Sequence, residues 1–300
     1  MKIQNLQNEL SKRKLQMGEY FRIAFDVLKV FVKENKLWTI FFLVANIFLL
    51  FFNSIVIRAI SNDNFLVLIM MFLIVVYIGL FYAVLITKVA QRIENTKEYD
   101  LKNIVTKYLI IFGICTAILA IFFRILIVLG WANFILIWMI GSGGGISDTA
   151  AITILLVIKG ILIIPLTLLI LFLLSKVAYF IQAYYIRNMS FSKAFQYNLQ
   201  ISKNNKLRIL IPVIILAILD FIVKIPFLSD LFGILNYFLL MPFTIFSLEI
   251  FELPLFVAFP LSVIFGIISS FLLIFMITIA VIVFLNVEYN YLKKQDKNLQ

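Results

Sequence analysis

Five ionisable side chains stand inside long apolar runs: Arg124, Lys159, Lys176, Asp220 and Lys224. A charge in hydrocarbon costs roughly 3 kcal/mol or more, so such a group has to face a partner or water. Lys176 lies close enough to the end of its run for its stem to carry the ammonium out to the interface. Asp220 is the one acid in the set, and two pairings suit it. On a helix it meets Lys224 at the i,i+4 spacing; from other runs it meets Arg124 or Lys159. The cluster Arg124, Lys159, Asp220 and Lys224 is net positive, and all four fall in the outer half of their runs. Its chemistry is that of a structural ion pair or of a polar cavity for an anionic headgroup or solute.

Other reactive chemistry is scarce. The chain has no His, and so lacks the commonest general base and the usual zinc ligand. Its single Cys, Cys115, lies within an apolar run and reads as a small core residue that can form no intramolecular disulfide. No span carries paired carboxylates. The GSGGG run at 141–145 lacks the Gly-Lys-Ser/Thr that completes a phosphate loop, so it reads as a flexible connector. No catalytic residue, metal ligand or cofactor is expected.

The elements that carry these residues follow from composition. Of 300 residues, 64% are hydrophobic, with a mean hydropathy of +1.10, whereas a soluble domain is about 45–50% apolar. The apolar runs are long and unbroken, which predicts transmembrane helices and not the alternating strands of a barrel. Six spans are predicted, at about 38–58, 65–88, 107–130, 151–187, 207–227 and 254–290. The first 37 residues hold no short apolar core, so no cleavable signal is expected. Lys and Arg gather in 1–37, 88–107, 187–208 and 291–300, while the intervening connections have almost none. The positive-inside rule then places both termini in the cytoplasm, and most of the net +11 on the cytoplasmic face of a cell membrane. That face is expected to meet anionic lipid and not nucleic acid. The Ile, Lys, Asn and Phe bias suggests an AT-rich bacterial genome.

The expected plan is one integral membrane domain over 1–300. It comprises a cytoplasmic segment (1–37), four spans (38–187), a second cytoplasmic stretch (188–206), two further spans (207–290) and a cytoplasmic tail (291–300). Two outer connections, 131–148 and 228–254, are themselves apolar and read as interfacial or re-entrant segments. Counting 228–254 as a span would make seven and put the basic tail outside, against the charge rule. Trp38, Tyr108, Tyr184, Tyr185, Tyr289 and Tyr291 are placed at the inner interface and Trp131 and Trp138 at the outer. Pro165 is placed to kink the fourth span, and Pro254 to start the last.

One stretch is written twice. Residues 21–37 and 191–207 match at seven of 17 positions with an offset of 170: Phe21/Phe191, Ala24/Ala194, Phe25/Phe195, Lys33/Lys203, Asn35/Asn205, Lys36/Lys206 and Leu37/Leu207. Phe21, Ala24, Phe25, Leu28 and Val32 recur at helical spacing, as do Phe191, Ala194, Phe195 and Leu199, with polar residues opposite. Each copy predicts an amphipathic helix lying in the interface. Asn35 or Asn205 then ends that helix, through its tolerance of the left-handed region, and caps the next. Each unit is an elbow helix leading into a helical hairpin, and two units in the same orientation make a parallel internal repeat.

The second elbow, SFSKAFQYNLQISKNNKLRIL, and the closing FLNVEYNYLKKQ resemble the pattern of the glycerophosphoryl diester phosphodiesterase membrane-domain family and of related uncharacterised bacterial multi-pass families. The layout is similar over most of the chain, the motif over about forty residues. Where that family often has a small residue before the turn asparagine, this chain has Glu34 and Asn204. The resemblance implies a six-helix membrane domain. It does not imply phosphodiesterase activity, which belongs to a separate soluble barrel with catalytic His. The expected role is that of a non-catalytic integral membrane protein organising lipid or a membrane partner; the alternative is a carrier or permease component for an anionic or amphipathic solute.

Overall fold

The computed structural model describes residues 6–53, 65–96, 100–141, 176–203, 205–224 and 255–299. All regular structure among them is helical. In chain order the helices are α1 (Leu6–Lys12), α2 (Met17–Glu34), α3 (Lys36–Asn53), α4 (Phe65–Glu94), α5 (Leu101–Gly141), α6 (Phe180–Ile186), α7 (Phe191–Ser202), α8 (Lys206–Lys224) and α9 (Leu255–Leu299).

The axis of the assembly is α9. Its 45 residues run about 68 Å at 1.5 Å per residue, well beyond a 30 Å hydrocarbon core. Helices α1, α2, α3, α4 and α8 all pack on it, and every residue from Ile277 to Glu288 is buried. Close approach is possible because small residues recur at every fourth position. Ala258, Ser262, Gly266 and Ser270 are all buried, forming the small-residue stripe that lets apolar helices touch backbone to backbone. A Cβ on Gly266 would lie 2.6 Å from Ile47 Cγ1 and 3.0 Å from Ile47 Cα, so α3 crosses α9 there. Asn46 of α3 reinforces the crossing, donating from Nδ2 to Gly266 O at 3.3 Å and to Ser270 Oγ at 3.0 Å.

By length and composition, three helical stretches among the described residues suit a membrane span: Phe72–Glu94, Leu101–Ile118 and Phe256–Asp296. A fourth is reached by counting α2 and α3 together, although they meet at a bend of 101°. Several apolar helices of this kind fit a membrane protein. Most of the predicted fourth span, together with the 228–254 connection, Lys159, Pro165 and Pro254, lies outside the described residues.

Three details differ from the sequence expectation. First, α5 does not stop near 130 but continues to Gly141, because residues 131–140 are as apolar as those before them and contain no helix breaker. Second, the chain leading into α6 is not one unbroken helix. It turns at 177–179, where Asn198 of α7 replaces the helical bonds: its Oδ1 accepts from Tyr179 N at 2.8 Å and its Nδ2 donates to Lys176 O. Third, Cys115 is exposed on α5 and is not a core residue, and Tyr108, Tyr184 and Tyr185 are buried and do not line a rim. An apolar run looks alike whether it faces lipid or protein, and only packing separates the two.

Candidate functional site

Each repeated asparagine sits at a break between two helices. Asn35 follows α2, where its backbone N–H and its side-chain Nδ2 both donate to Phe31 O, at 2.9 and 3.1 Å. Its own carbonyl accepts from Thr39 N and Thr39 Oγ1, both at 3.0 Å, and so opens α3. The left-handed conformation expected here is not used: Asn35 has φ −119°, and its side chain satisfies the helix end instead. Among the described residues the left-handed asparagines are Asn95 (φ 52°) and Asn188 (φ 49°), which follow α4 and α6. Asn205 repeats the side-chain part of this arrangement, with Nδ2 donating to Ile201 O at 3.3 Å, the counterpart of Phe31 at the same offset, while its backbone N–H donates to Ser202 O at 3.0 Å. Both side-chain oxygens accept from a distant lysine. Lys88 Nζ reaches Asn35 Oδ1 at 3.1 Å, and Lys14 Nζ reaches Asn205 Oδ1 at 3.1 Å. Burial, then Arg208 and Lys294, lower the pKa of the Lys14 ammonium. A groove of 330 Å³ lies beside Asn35, lined by Glu34, Lys88 and Arg92, and one of 420 Å³ beside Asn205, lined by Lys203, Lys206 and Arg208. Lys36 is exposed and Lys206 half-buried.

The elbow helices bury one face and present another. In α2 the protein-facing side holds Tyr20, Ile23, Ala24, Val27, Leu28 and Phe31, while Phe25 and Val32 remain 42% and 36% exposed. In α7, Ala194, Asn198, Ile201 and Ser202 are buried, while Phe191, Phe195 and Leu199 are 42%, 37% and 39% exposed. The single apolar stripe expected from spacing is therefore split. Alanine and its neighbours turn inward, the phenylalanines outward, with Phe21 half-buried between. Lys29 Nζ lies 4.3 Å over the Phe25 ring, so the outward stripe of α2 is edged by a cation.

The same end of the bundle carries a buried ion network that the sequence did not reveal. Arg187, just past α6, meets Glu94 of α4 in a two-pronged pair (Nη2–Oε1 2.6 Å, Nη1–Oε2 3.0 Å). Its Nε also bonds both oxygens of Glu288 on α9, at 2.8 and 3.0 Å. Tyr197 Oη donates to Glu288 at 2.7 Å and Tyr289 Oη to Glu94 at 2.6 Å. The carboxylate side chains are 7% and 1% exposed. Burial and then Glu288 push the Tyr197 hydroxyl pKa up, keeping it a donor. Nearby, Asn286 accepts from Leu15 N at 3.2 Å and Tyr20 Oη at 2.7 Å and donates to Leu10 O and Arg13 O at 2.6 and 2.8 Å. One side chain thereby fastens α1 and the start of α2 to α9. Glu19 reaches back to Gln16 N at 2.7 Å, and Arg13 holds its carboxyl down to about 2.

About 28 Å further along α9 at 1.5 Å per residue lies the acid of the apolar runs. Asp220 is buried. Lys224 Nζ bonds its Oδ2 at 2.6 Å and Ser269 Oγ donates to its Oδ1 at 2.5 Å. Of the two pairings open to Asp220, the i,i+4 one is made. Arg124 is exposed on α5, and Lys159 lies outside the described residues. The stripe at 258, 262, 266 and 270 carries a legible signal in the sequence, small residues four apart in an apolar run, with Ser269 beside it.

No family model matches the chain, and no curated protein or solved structure matches it.

Proposed function

We propose that this chain is a non-catalytic, multi-pass protein of the cell membrane that seats its basic end on the anionic cytoplasmic leaflet and organises lipid, or a membrane partner, there. The observation that carries this reading is the pair of elbow helices. Each buries one face on the bundle and leaves a phenylalanine-bearing stripe outward, beside a lysine-flanked asparagine turn. Such a helix gains from burying its apolar edge among acyl chains, and each nearby cation adds about 1 kcal/mol at an anionic surface. The matching turns at Asn35 and Asn205 support the parallel repeat, and the charge pattern supports the six-span plan with both termini inside. The resemblance to the phosphodiesterase membrane-domain family is consistent with this plan. Asp220, already matched by Lys224 and Ser269, supports the structural reading of the intramembrane cluster over an anion cavity.

The test is native mass spectrometry of the protein released from nanodiscs of equal phosphatidylglycerol and phosphatidylcholine. The expected result is phosphatidylglycerol enriched among retained lipids, and that enrichment lost when Lys33, Lys36, Lys203 and Lys206 are changed together to Gln. Retention of both lipids in equal amounts by the native chain overturns the reading.

A further inference from the structure

The two elbow turns differ in charge. The offset of 170 that sets Asn205 on Asn35 also sets Asn204 on Glu34 and Arg208 on Trp38. The second copy therefore loses an acid and gains a cation. In the first, Glu34 is paired with Arg92 at 2.6 Å, and Lys88 Nζ lies 5.9 Å over the Trp38 ring. In the second, the 420 Å³ groove is lined by Lys203, Asn205, Lys206, Leu207 and Arg208, and by no acid. Lys14 reaches its wall through Asn205 Oδ1 at 3.1 Å. Its parts are already held in place. Arg208 Nη1 donates to Leu15 O at 3.2 Å and to Tyr20 Oη at 3.3 Å, two neutral acceptors that fix the guanidinium without cancelling its charge. Asn205 Nδ2 donates to Ile201 O and Lys203 O, both at 3.3 Å, and its carbonyl accepts from Tyr179 Oη at 2.7 Å. Among the described residues, no carboxylate pairs with Lys14, Lys203, Lys206 or Arg208. A cleft lined by one sign of charge concentrates counter-ions, and Arg with Lys is the side-chain set that suits phosphate.

We propose that the groove beside Asn205 binds the phosphate of a monoester, held by Lys203, Lys206 and Arg208, and that the groove beside Asn35 does not. A phosphate monoester carries about −1.5 to −2 at pH 7, against a single charge on a diester headgroup, so an uncompensated cation cluster selects the monoester. A phosphatidic acid headgroup and a soluble phosphate ester share this chemistry. The site rests on the proposed seating of the basic end at the anionic leaflet and adds to it: both elbows meet the surface, and the second turn chooses the headgroup.

Two probes test it on the full chain. Nanodiscs holding equal dioleoylphosphatidic acid and dioleoylphosphatidylglycerol are read by native mass spectrometry, and glycerol phosphate added in detergent is read by the thermal unfolding midpoint. One further charge paired at the surface is worth about fivefold, so the native chain should retain phosphatidic acid about fivefold over phosphatidylglycerol. Lys203→Gln with Lys206→Gln should bring that ratio to about one; neither side chain makes an ion pair among the described residues, so this variant should fold. Lys33→Gln with Lys36→Gln removes the same charge from the first copy, and should lower retention of both lipids alike while keeping the ratio. Selection of phosphatidic acid with no midpoint shift from glycerol phosphate assigns the site to a lipid headgroup. A saturable shift, abolished by Lys203→Gln with Lys206→Gln, assigns it to a soluble ester. A native ratio of one with no such shift overturns the proposal, as does equal loss of the ratio with either lysine pair. Enrichment of phosphatidylglycerol over phosphatidylcholine does not depend on this ratio, so the elbow reading and this site fail separately.

Discussion

Replacing Arg187 by Met should be among the most damaging single changes at the basic end. It strands Glu94 and Glu288, two carboxylates with 7% and 1% side-chain exposure, and removing one partner of a buried pair costs about 3–5 kcal/mol. Glu288→Gln keeps an acceptor for Arg187 and Tyr197 and should cost clearly less. Unfolding in a graded denaturant, in mild detergent, checks both; a wild-type midpoint for Arg187→Met contradicts the network. This cluster was invisible in the sequence because its members stand 93 and 101 positions apart with no local pattern linking them. The turn asparagines were legible because each closes its helix end within four residues of itself, although the lysines that meet their side-chain oxygens come from far along the chain. Even so, their means of ending a helix, through the side chain and not a left-handed backbone, required the geometry at Asn35.

At the scale of the element, helix crossings depend on where a side chain can be missing. A Cβ on Gly266 meets the α3 backbone at Ile47, whereas one on Gly113 of α5 meets nothing within 4 Å. The same substitution should therefore act in opposite directions. Gly266→Ala should destabilise by about 1–3 kcal/mol through overpacking, with loss of the Asn46 bonds to Gly266 O and Ser270. Gly113→Ala should be neutral or stabilising by up to about 1 kcal/mol, since Ala is the better helix former. Thermal unfolding of the two variants side by side decides it, and equal effects contradict the crossing. Helix type was readable from the apolar runs. The turn before α6 was not, because it depends on Asn198 arriving from another helix.

For the whole molecule, the proposed orientation places both termini and both elbows on one side of the membrane. Single cysteines on a Cys115→Ser background test it. Lys12→Cys, Lys203→Cys and Lys294→Cys should react with an impermeant thiol reagent in inside-out vesicles only, and Asp148→Cys and Asp230→Cys in intact cells only. Labelling of Lys12→Cys and Lys294→Cys from opposite sides contradicts an even number of spans.

The amino-acid sequence by itself determined that the chain is helical and apolar enough for a membrane, where its positive charge collects, and that two asparagine turns repeat. These are local or additive quantities: run length, composition, and patterns that close within a helical turn. Tertiary structure alone decided the rest. It split each elbow stripe into a buried alanine side and an exposed phenylalanine side, chose Lys224 and Ser269 as the partners of Asp220, and brought Glu94, Arg187 and Glu288 together. It also left Gln182 Oε1 buried without a donor. In a chain this uniformly apolar, hydrophobicity cannot tell lipid from protein. The contacts of the few polar and small residues set which face turns inward.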